Sequence, residues 1–508
     1  MPSHANQAES GALLQRRIFW TLLGLGAVLR LVFFAVDQEI WRDEANLLMA
    51  LRQTPYAGLG VEMPYGQRAP WAWAACTKAM MEAGAWSWVR LPSLVAGLMF
   101  LPLFRLLAER LLGKASMAAV FAVGLCAFSP SLVLFSNQVK PYGIDALVVV
   151  LLLLPWVGDG ATHAAQGQAA GCRQWTHVPA WVGAVLLSIS SVFVIGTVAL
   201  ARFFRQFPKQ VVAAVSGGGL SALVFAWFYL MPASAYAYMD HFWSQADKFA
   251  RLSLGWWVEA GFVTFYNPLR YPSHVHEWLP LGALLLMLGI AGVIRLALSR
   301  RWLTLWLMTG PVLLALALSA LKLYPYSGRL IVYSTPLVLL LAGLGYGWIG
   351  GRWRHLRDGC GLILLLFLAF QSGVEFLRPQ AGVRADLRHL EALIQEGDWL
   401  VTDLFAAQIV NFEQASGRWS HGNVLAEWED ETTESQKPPL QETLARLPAR
   451  SRVWFLAAAV DYHRAHTAAI RPEAEHCIVL LSQNRNVERE LRRPRSTLIL
   501  FSPVVPQP

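Results

Sequence analysis

Charged residues are scarce in this chain. They form 15% of its 508 residues, against about 25% in a soluble globular protein, while 55% are hydrophobic, 22 are Trp and the mean hydropathy is +0.41. That deficit excludes a wholly soluble protein and leaves a polytopic membrane protein. Cysteine is sparse too: Cys76, Cys126, Cys172, Cys360 and Cys477 are scattered without a CxxC pair, which argues against both a disulfide framework and a thiolate metal site. There is no Walker or Rossmann phosphate loop, so a reaction here need not draw on a nucleotide, and internal repeats are lacking. The net charge of +9 does not point to nucleic acid, because Lys and Arg fall in short clusters between apolar runs, the pattern of membrane orientation signals.

What is present is a succession of apolar runs. Ile18 to Val36, interrupted only by Arg30, follows Arg16-Arg17 and is long enough to cross a bilayer core of about 30 Å at roughly 1.5 Å per residue. It is too long for a signal-peptide core and lacks a small-residue cleavage site, so it predicts an uncleaved anchor with a cytoplasmic N-terminus. Asp37 to Pro70 then lies outside, and Trp71 to Trp88 reads as a helix in the membrane interface. Leu91 to Leu107 returns inward. Ala115 to Phe135, stopped by Ser129-Pro130, goes out, and Ile144 to Trp156 comes back to a cytoplasmic linker, Gly158 to Thr176.

Pro179 to Ala201 has the length of one span, yet Arg202, Arg205 and Lys209 follow it. A single crossing would put those cations outside and invert every later loop, including Arg300-Arg301 and Arg352, Arg354 and Arg357. A re-entrant hairpin pivoting near Ser188-Ile189-Ser190-Ser191 keeps both ends in the cytoplasm. The later runs 211–230, 278–296, 302–321, 331–349 and 360–376 then alternate with every basic loop inside. The expected fold is an all-α polytopic membrane domain of about eleven membrane segments, residues 1–377, with a small C-terminal α/β extracytoplasmic domain, residues 378–508. In the latter, Ala385 to Glu396 has helical periodicity and ends at Gly397. Trp399 to Leu404, Arg452 to Val460, Cys477 to Leu481 and Thr497 to Phe501 are short apolar runs of strand character, and Gln414 to Pro439 reads as a long loop.

With this topology the polar residues that are not orientation signals collect on the outer side. The pair Asp43-Glu44 stands just beyond the first span. Arg68, Lys140, Tyr142, the aromatic loop Tyr236 to Glu277 and the stretch Lys322 to Arg329 stand with it. Carboxylates in one loop and cations in others suit a displacement in which a base takes a proton while cations neutralise a departing phosphate. Each assignment has a plainer competitor. Glu44 could instead orient Arg42 or Arg68. Lys140 and Arg329 could be anchors that snorkel to headgroups, Tyr142 and Tyr324 aromatic-belt residues, and the Trp-rich stretch from Phe242 to Trp257 an interfacial helix. His274-Val275-His276 lacks a third ligand in view, and His241 stands alone. No motif requires a cofactor, and a divalent metal stays open.

An acidic pair in the first outer loop, Lys140-Pro141-Tyr142 after the third helix, Tyr324-Pro325 with Gly328-Arg329 before a late helix, and an outer C-terminal domain together resemble the GT-C membrane glycosyltransferases. The branch is the one containing protein O-mannosyltransferases and lipid A aminoarabinose transferases. The resemblance covers roughly Ile18 to Ile349 in layout, and the chain departs from it where many relatives carry Glu-Arg-Pro-Tyr and this one has Asn137-Gln138-Val139-Lys140-Pro141-Tyr142. It implies an inverting transfer of a sugar from a polyprenyl-phosphate donor to a lipid or glycan acceptor. The catalytic acid maps onto Asp43, with Glu44 beside it, and the donor phosphate onto Lys140, Tyr142, Arg329 and Arg68. It also implies a bacterial inner membrane, with the site on the outer face. Two readings of other classes compete: a flippase of lipid-linked saccharides, which should show paired repeats and interrupted helices, and a non-catalytic membrane scaffold.

Overall fold

A computed structural model describes residues 4–36, 40–60, 63–114, 116–157, 177–205, 208–229, 248–251, 253–269, 279–350, 353–377, 382–425, 444–458, 472–493 and 496–504. The chain forms two compact units. One comprises Met1–Val36, Leu51–Tyr271 and Val275–Leu377; the other gathers Asp37–Ala50, Pro272–His274 and Arg378–Pro508.

The first unit is helical and multi-pass. Among the described residues six helices are long and apolar enough to cross a membrane, and five shorter apolar helices accompany them. In chain order the first helices are α1 (His4–Ala35), α2 (Arg42–Gln53, which begins in the second unit), α3 (Trp71–Glu82), α4 (Leu91–Leu112), α5 (Met117–Phe128), α6 (Pro130–Phe135) and α7 (Tyr142–Leu153). Then come α8 (His177–Leu187), α9 (Ser191–Arg205), α10 (Pro208–Tyr229), α11 (Leu254–Tyr266), α12 (Leu279–Leu298), α13 (Trp302–Ala320), α14 (Thr335–Trp348) and α15 (Arg354–Leu377). The stretch expected to hold an aromatic loop thus contains α11, capped by Ser253, whose Oγ accepts from Trp256 N–H. In α3, Lys78 is buried and donates to the carbonyls of Leu51 (3.0 Å) and Arg52 (3.3 Å) at the end of α2, taking up carbonyls that a helix end leaves without a partner. The α12 and α14 backbones meet so closely that a Cβ at Gly292 would strike the Leu341 carbonyl, and one at Gly345 that of Leu288, the small-residue packing usual between membrane helices.

Arg30, the one charge in the first span, answers a defect in its neighbour. The run through α5 breaks at Ser129-Pro130: Pro130 has no N–H to give the Cys126 carbonyl, and α6 starts afresh with Ser129 as its cap. The fully buried Arg30 guanidinium donates to the carbonyls of Ala127 (3.0 Å), Cys126 (3.4 Å) and Gly26 (2.9 Å), and Ser372 Oγ donates to Phe128 O (2.9 Å). Arg30→Leu should orphan two carbonyls at roughly 1–3 kcal/mol each and lower the thermal unfolding midpoint measured in mild detergent. Arg30→Lys, which keeps a donor, should lose less. An unchanged midpoint for Arg30→Leu would show that the break needs no donor from α1.

The segment expected to be a hairpin is two helices, α8 and α9, separated at Ser188-Ile189-Ser190. Near their far ends the Arg202 guanidinium lies over the rings of Trp181 (5.6 Å) and Trp156 (4.4 Å), and Trp156 closes the 3-10 turn that follows α7. At the break, Ser188 reaches Asp145 in the first turn of α7. The two limbs therefore run beside α7 and back again.

The second unit contains a five-stranded sheet in the order β2-β1-β3-β5-β4, with β1 (Trp399–Thr402), β2 (Val424–Leu425), β3 (Val453–Ala458), β4 (Arg485–Arg493) and β5 (Ser496–Pro503). The strands β2, β1 and β3 are parallel, and β5 runs antiparallel to both of its neighbours, β3 and β4. Among its described residues the helices α16 (Val383–Glu391), α17 (Leu404–Ala415) and α18 (Pro472–Asn484) accompany the sheet. Every residue of β3 is buried, as a strand covered on both faces requires. Cys477 to Leu481 proves to be helical rather than extended. Ala474, Cys477 and Leu481, three and four residues apart, form one face of α18 packed on Val453, Phe455, Ile499 and Phe501. Asp398 leads into β1 and is gripped by Arg452 (2.7 and 3.0 Å) and the Trp454 indole (3.0 Å). Burial raises its pKa, but these donors and the Gln395 N–H outweigh burial and hold it below the usual carboxylate range.

Candidate active site

The acidic pair opens α2. Trp41 precedes the helix, and its carbonyl takes the first turn's N–H groups of Glu44 and Ala45. Glu44 is the third helical residue; its buried carboxylate reaches back to the Trp41 N–H at 3.3 Å. That is one half of a capping box, a structural task that the sequence reading did not assign to Glu44. Asp43, one residue earlier, is half-buried in the same first turn, where the helix dipole favours negative charge.

The expected cations belong to the first unit. Lys140 is buried, and its Nζ donates to Gln67 Oε1 at 3.1 Å, which brings it to the residue beside Arg68. Its carbonyl accepts from Ser93 Oγ of α4 at 3.1 Å. Gly97 lies one turn further along α4, where a Cβ would strike Ser136, so the segment 136–140 is laid tightly on that helix. Tyr142 is the first residue of α7 and meets Phe135 edge-on, with centroids 5.1 Å apart. Arg329 is half-buried in the 3-10 segment Gly328–Ser334, which packs along α7. That segment is held by Tyr324, whose hydroxyl donates to Leu330 O at 2.7 Å, and by the close pairing of the Tyr326 and Thr264 hydroxyls at 2.6 Å.

Lys140, Tyr142, Arg68 and Arg329 thus sit on neighbouring elements of one unit, while Asp43 and Glu44 belong to the other. Gln67 and Asp145 were not singled out from the sequence. No signal marks Gln67, but an acid inside the apolar run from Ile144 to Trp156 is one, since ionisable groups in membrane segments are rare and kept for a task. Among the described residues no three His, Cys, Asp or Glu side chains gather as a metal site would need. His241, His274 and His276 lie outside the described residues.

A multi-pass helical unit with broken helices and a small α/β unit in one chain is a fold already seen in solved structures. A solved structure that shares it is ArnT from Cupriavidus metallidurans in the apo state, with a TM-score of 0.50 and 13% sequence identity over 94% of this chain and 97% of that one. ArnT from the same organism bound to undecaprenyl phosphate gives a TM-score of 0.48 and 13% identity, covering 98% of each chain. No protein-family model and no curated protein matches the sequence.

Proposed function

We propose that the chain is an inverting glycosyltransferase that moves a sugar from a polyprenyl-phosphate donor to an extracytoplasmic acceptor, a glycolipid, polysaccharide or protein. The observation that carries the reading is the arrangement around α7. A buried lysine tied to Gln67 stands just before the helix, Tyr142 starts it, and the segment bearing Arg329 packs along it. A buried ammonium is retained at a membrane unit's end for a charged ligand more readily than for anchoring, because an anchor snorkels outward. In the reaction the acceptor oxygen attacks the anomeric carbon as its proton passes to Asp43. The bond from that carbon to the phosphate oxygen breaks, and Lys140, Arg329, Arg68 and Tyr142 receive the charge left on the lipid phosphate.

The interruptions at Ser129 and at Ser188-Ser190 are what favours a flippase of lipid-linked saccharides as the second reading. Purified protein supplied with a radiolabelled polyprenyl-phosphate sugar separates the two. Label recovered in an acceptor supports transfer; label that changes leaflet with its phosphate bond intact supports the flippase and overturns the first reading.

The membrane is, on this proposal, the bacterial inner membrane, with the N-terminus cytoplasmic and residues 378–508 outside. Positive-inside bias supports it: with the hairpin in place, Arg16, Arg202, Arg300 and Arg357 all share one side. In a cysteine-free background, Ser416→Cys should react with an impermeant thiol reagent added to intact cells and Ser299→Cys should not. Labelling of Ser299→Cys from outside would reverse the assigned orientation.

A further inference from the structure

We infer that the tip of the re-entrant hairpin is a brace that sets the spacing between Lys140-Tyr142 and Arg329, with Asp145 and Ser188 as the positioning residues that fasten it; this rests on the donor-phosphate role proposed above. Asp145 is three residues beyond Tyr142 and so lies on the same face of α7. It is buried in an otherwise apolar membrane helix, and Ser188 Oγ donates to its Oδ1 at 2.6 Å. The tip is itself closed by hydroxyls: Ser191 Oγ donates to Ser188 O at 2.7 Å, and Ser190 Oγ lies 3.4 Å from Ser188 Oγ.

The other side of the tip faces the Arg329 segment. Phe193, fully buried two residues after the turn closes, meets Tyr324 edge-on at 4.8 Å and packs against Tyr333 at 5.2 Å. Tyr333 belongs to the same 3-10 segment as Arg329, and the Tyr324 hydroxyl binds Leu330 O beside it. One short turn is therefore wedged between the helix that follows Lys140 and the segment that carries Arg329. Two cations from different elements hold one phosphate only at a fixed separation, and a misplacement of about 1 Å can lose on the order of a hundredfold in rate. A carboxyl group inside the membrane is an expensive fastener, but its bond to the Ser188 hydroxyl is short.

The test uses the full chain in lipid nanodiscs, with a polyprenyl phosphate as the binding probe and spin labels at Gln138→Cys and Ser327→Cys as the distance probe. Ser188→Ala and Asp145→Leu should each weaken binding about tenfold and lengthen or broaden the label distance. The double variant should be no worse than either single one, because both remove the same bond. Asp145→Asn, which still offers an Oδ1 acceptor to Ser188, should stay within about twofold of wild type. Binding by Asp145→Asn as weak as by Asp145→Leu would show that the charge matters and not the fastening, and would overturn the brace. An unchanged label distance in Ser188→Ala, a change small enough to leave folding intact, would overturn it as well. Wild-type protein that binds no polyprenyl phosphate would defeat the donor reading instead, and the label distance alone would then decide the brace.

Discussion

Asp43→Asn should reduce sugar transfer by about 10²- to 10⁴-fold, the range that a positioned general base contributes, while leaving the affinity for the polyprenyl-phosphate donor within a few-fold of wild type. An acceptor hydroxyl is a weak nucleophile until its proton begins to leave, and an amide has the size of a carboxylate without its basicity. The two acids of the pair are separated by what they touch. Glu44 is buried and its carboxylate closes the start of α2 on Trp41 N–H, a bond that a Gln side-chain oxygen can still accept. Glu44→Gln should therefore keep most of the rate, and Glu44→Ala should lose helix-start stability by about 1 kcal/mol, as other lost caps do. Single-turnover transfer from a labelled donor, with the anomeric configuration of the product determined in the same experiment, checks both. Near-wild-type turnover by Asp43→Asn, or a product that keeps the donor's configuration, would remove Asp43 from the role.

The membrane unit was readable in the sequence to the extent that hydropathy and charge dictate it. Apolar runs of sufficient length place the spans, and the demand that Arg202, Arg205 and Lys209 remain with the other basic loops is enough to require a turn near Ser188, where the helices do break. Interactions across the fold were not readable. Arg30 looks like an isolated charge until the missing N–H of Pro130 and the carbonyls of Cys126 and Ala127 are brought beside it. Nothing in the sequence around Lys140 announces its bond to Gln67, which comes from before α3.

The second unit shows the limits of periodicity in another way. β3 and β5 are legible because every position of a covered strand is apolar or small. Most of β4 is exposed at the sheet edge, and its polar sequence from Arg485 to Arg493 carries no alternation of apolar and polar residues to detect. α17 was missed although its signal is local: Asp403 caps it by accepting from Ala406 N–H at 2.7 Å, but the apolar run before it drew Leu404 into the strand. In α18 the β-branched Ile478 and Val479 suggested a strand, whereas the spacing of Ala474, Cys477 and Leu481 in steps of three and four residues decides for a helix once a sheet is there to receive that face.

The donor phosphate gives the second large expectation, and Arg329 is the residue on which it is sharpest. A guanidinium offers a planar fork to phosphate oxygens, and a lysine ammonium offers a point charge. Arg329→Lys should keep the overall attraction and lose the fork, so transfer should fall roughly tenfold, while Arg329→Ala, which removes the charge from the leaving group, should lose about a hundredfold or more. The 3-10 segment that carries Arg329 is held by Tyr324, Tyr333 and the Tyr326–Thr264 pair, which the substitutions leave in place, and the unfolding midpoint of each variant, measured beside its rate, separates loss of function from loss of fold. Transfer rate and donor affinity measured together separate two roles. An interaction that strengthens as the phosphate departs lowers kcat more than it raises KM, and a group that only grips the donor does the reverse. Turnover by Arg329→Ala at the wild-type rate would make Arg329 a headgroup anchor. The leaving-group role would then have to pass to Lys140, the buried cation just before α7.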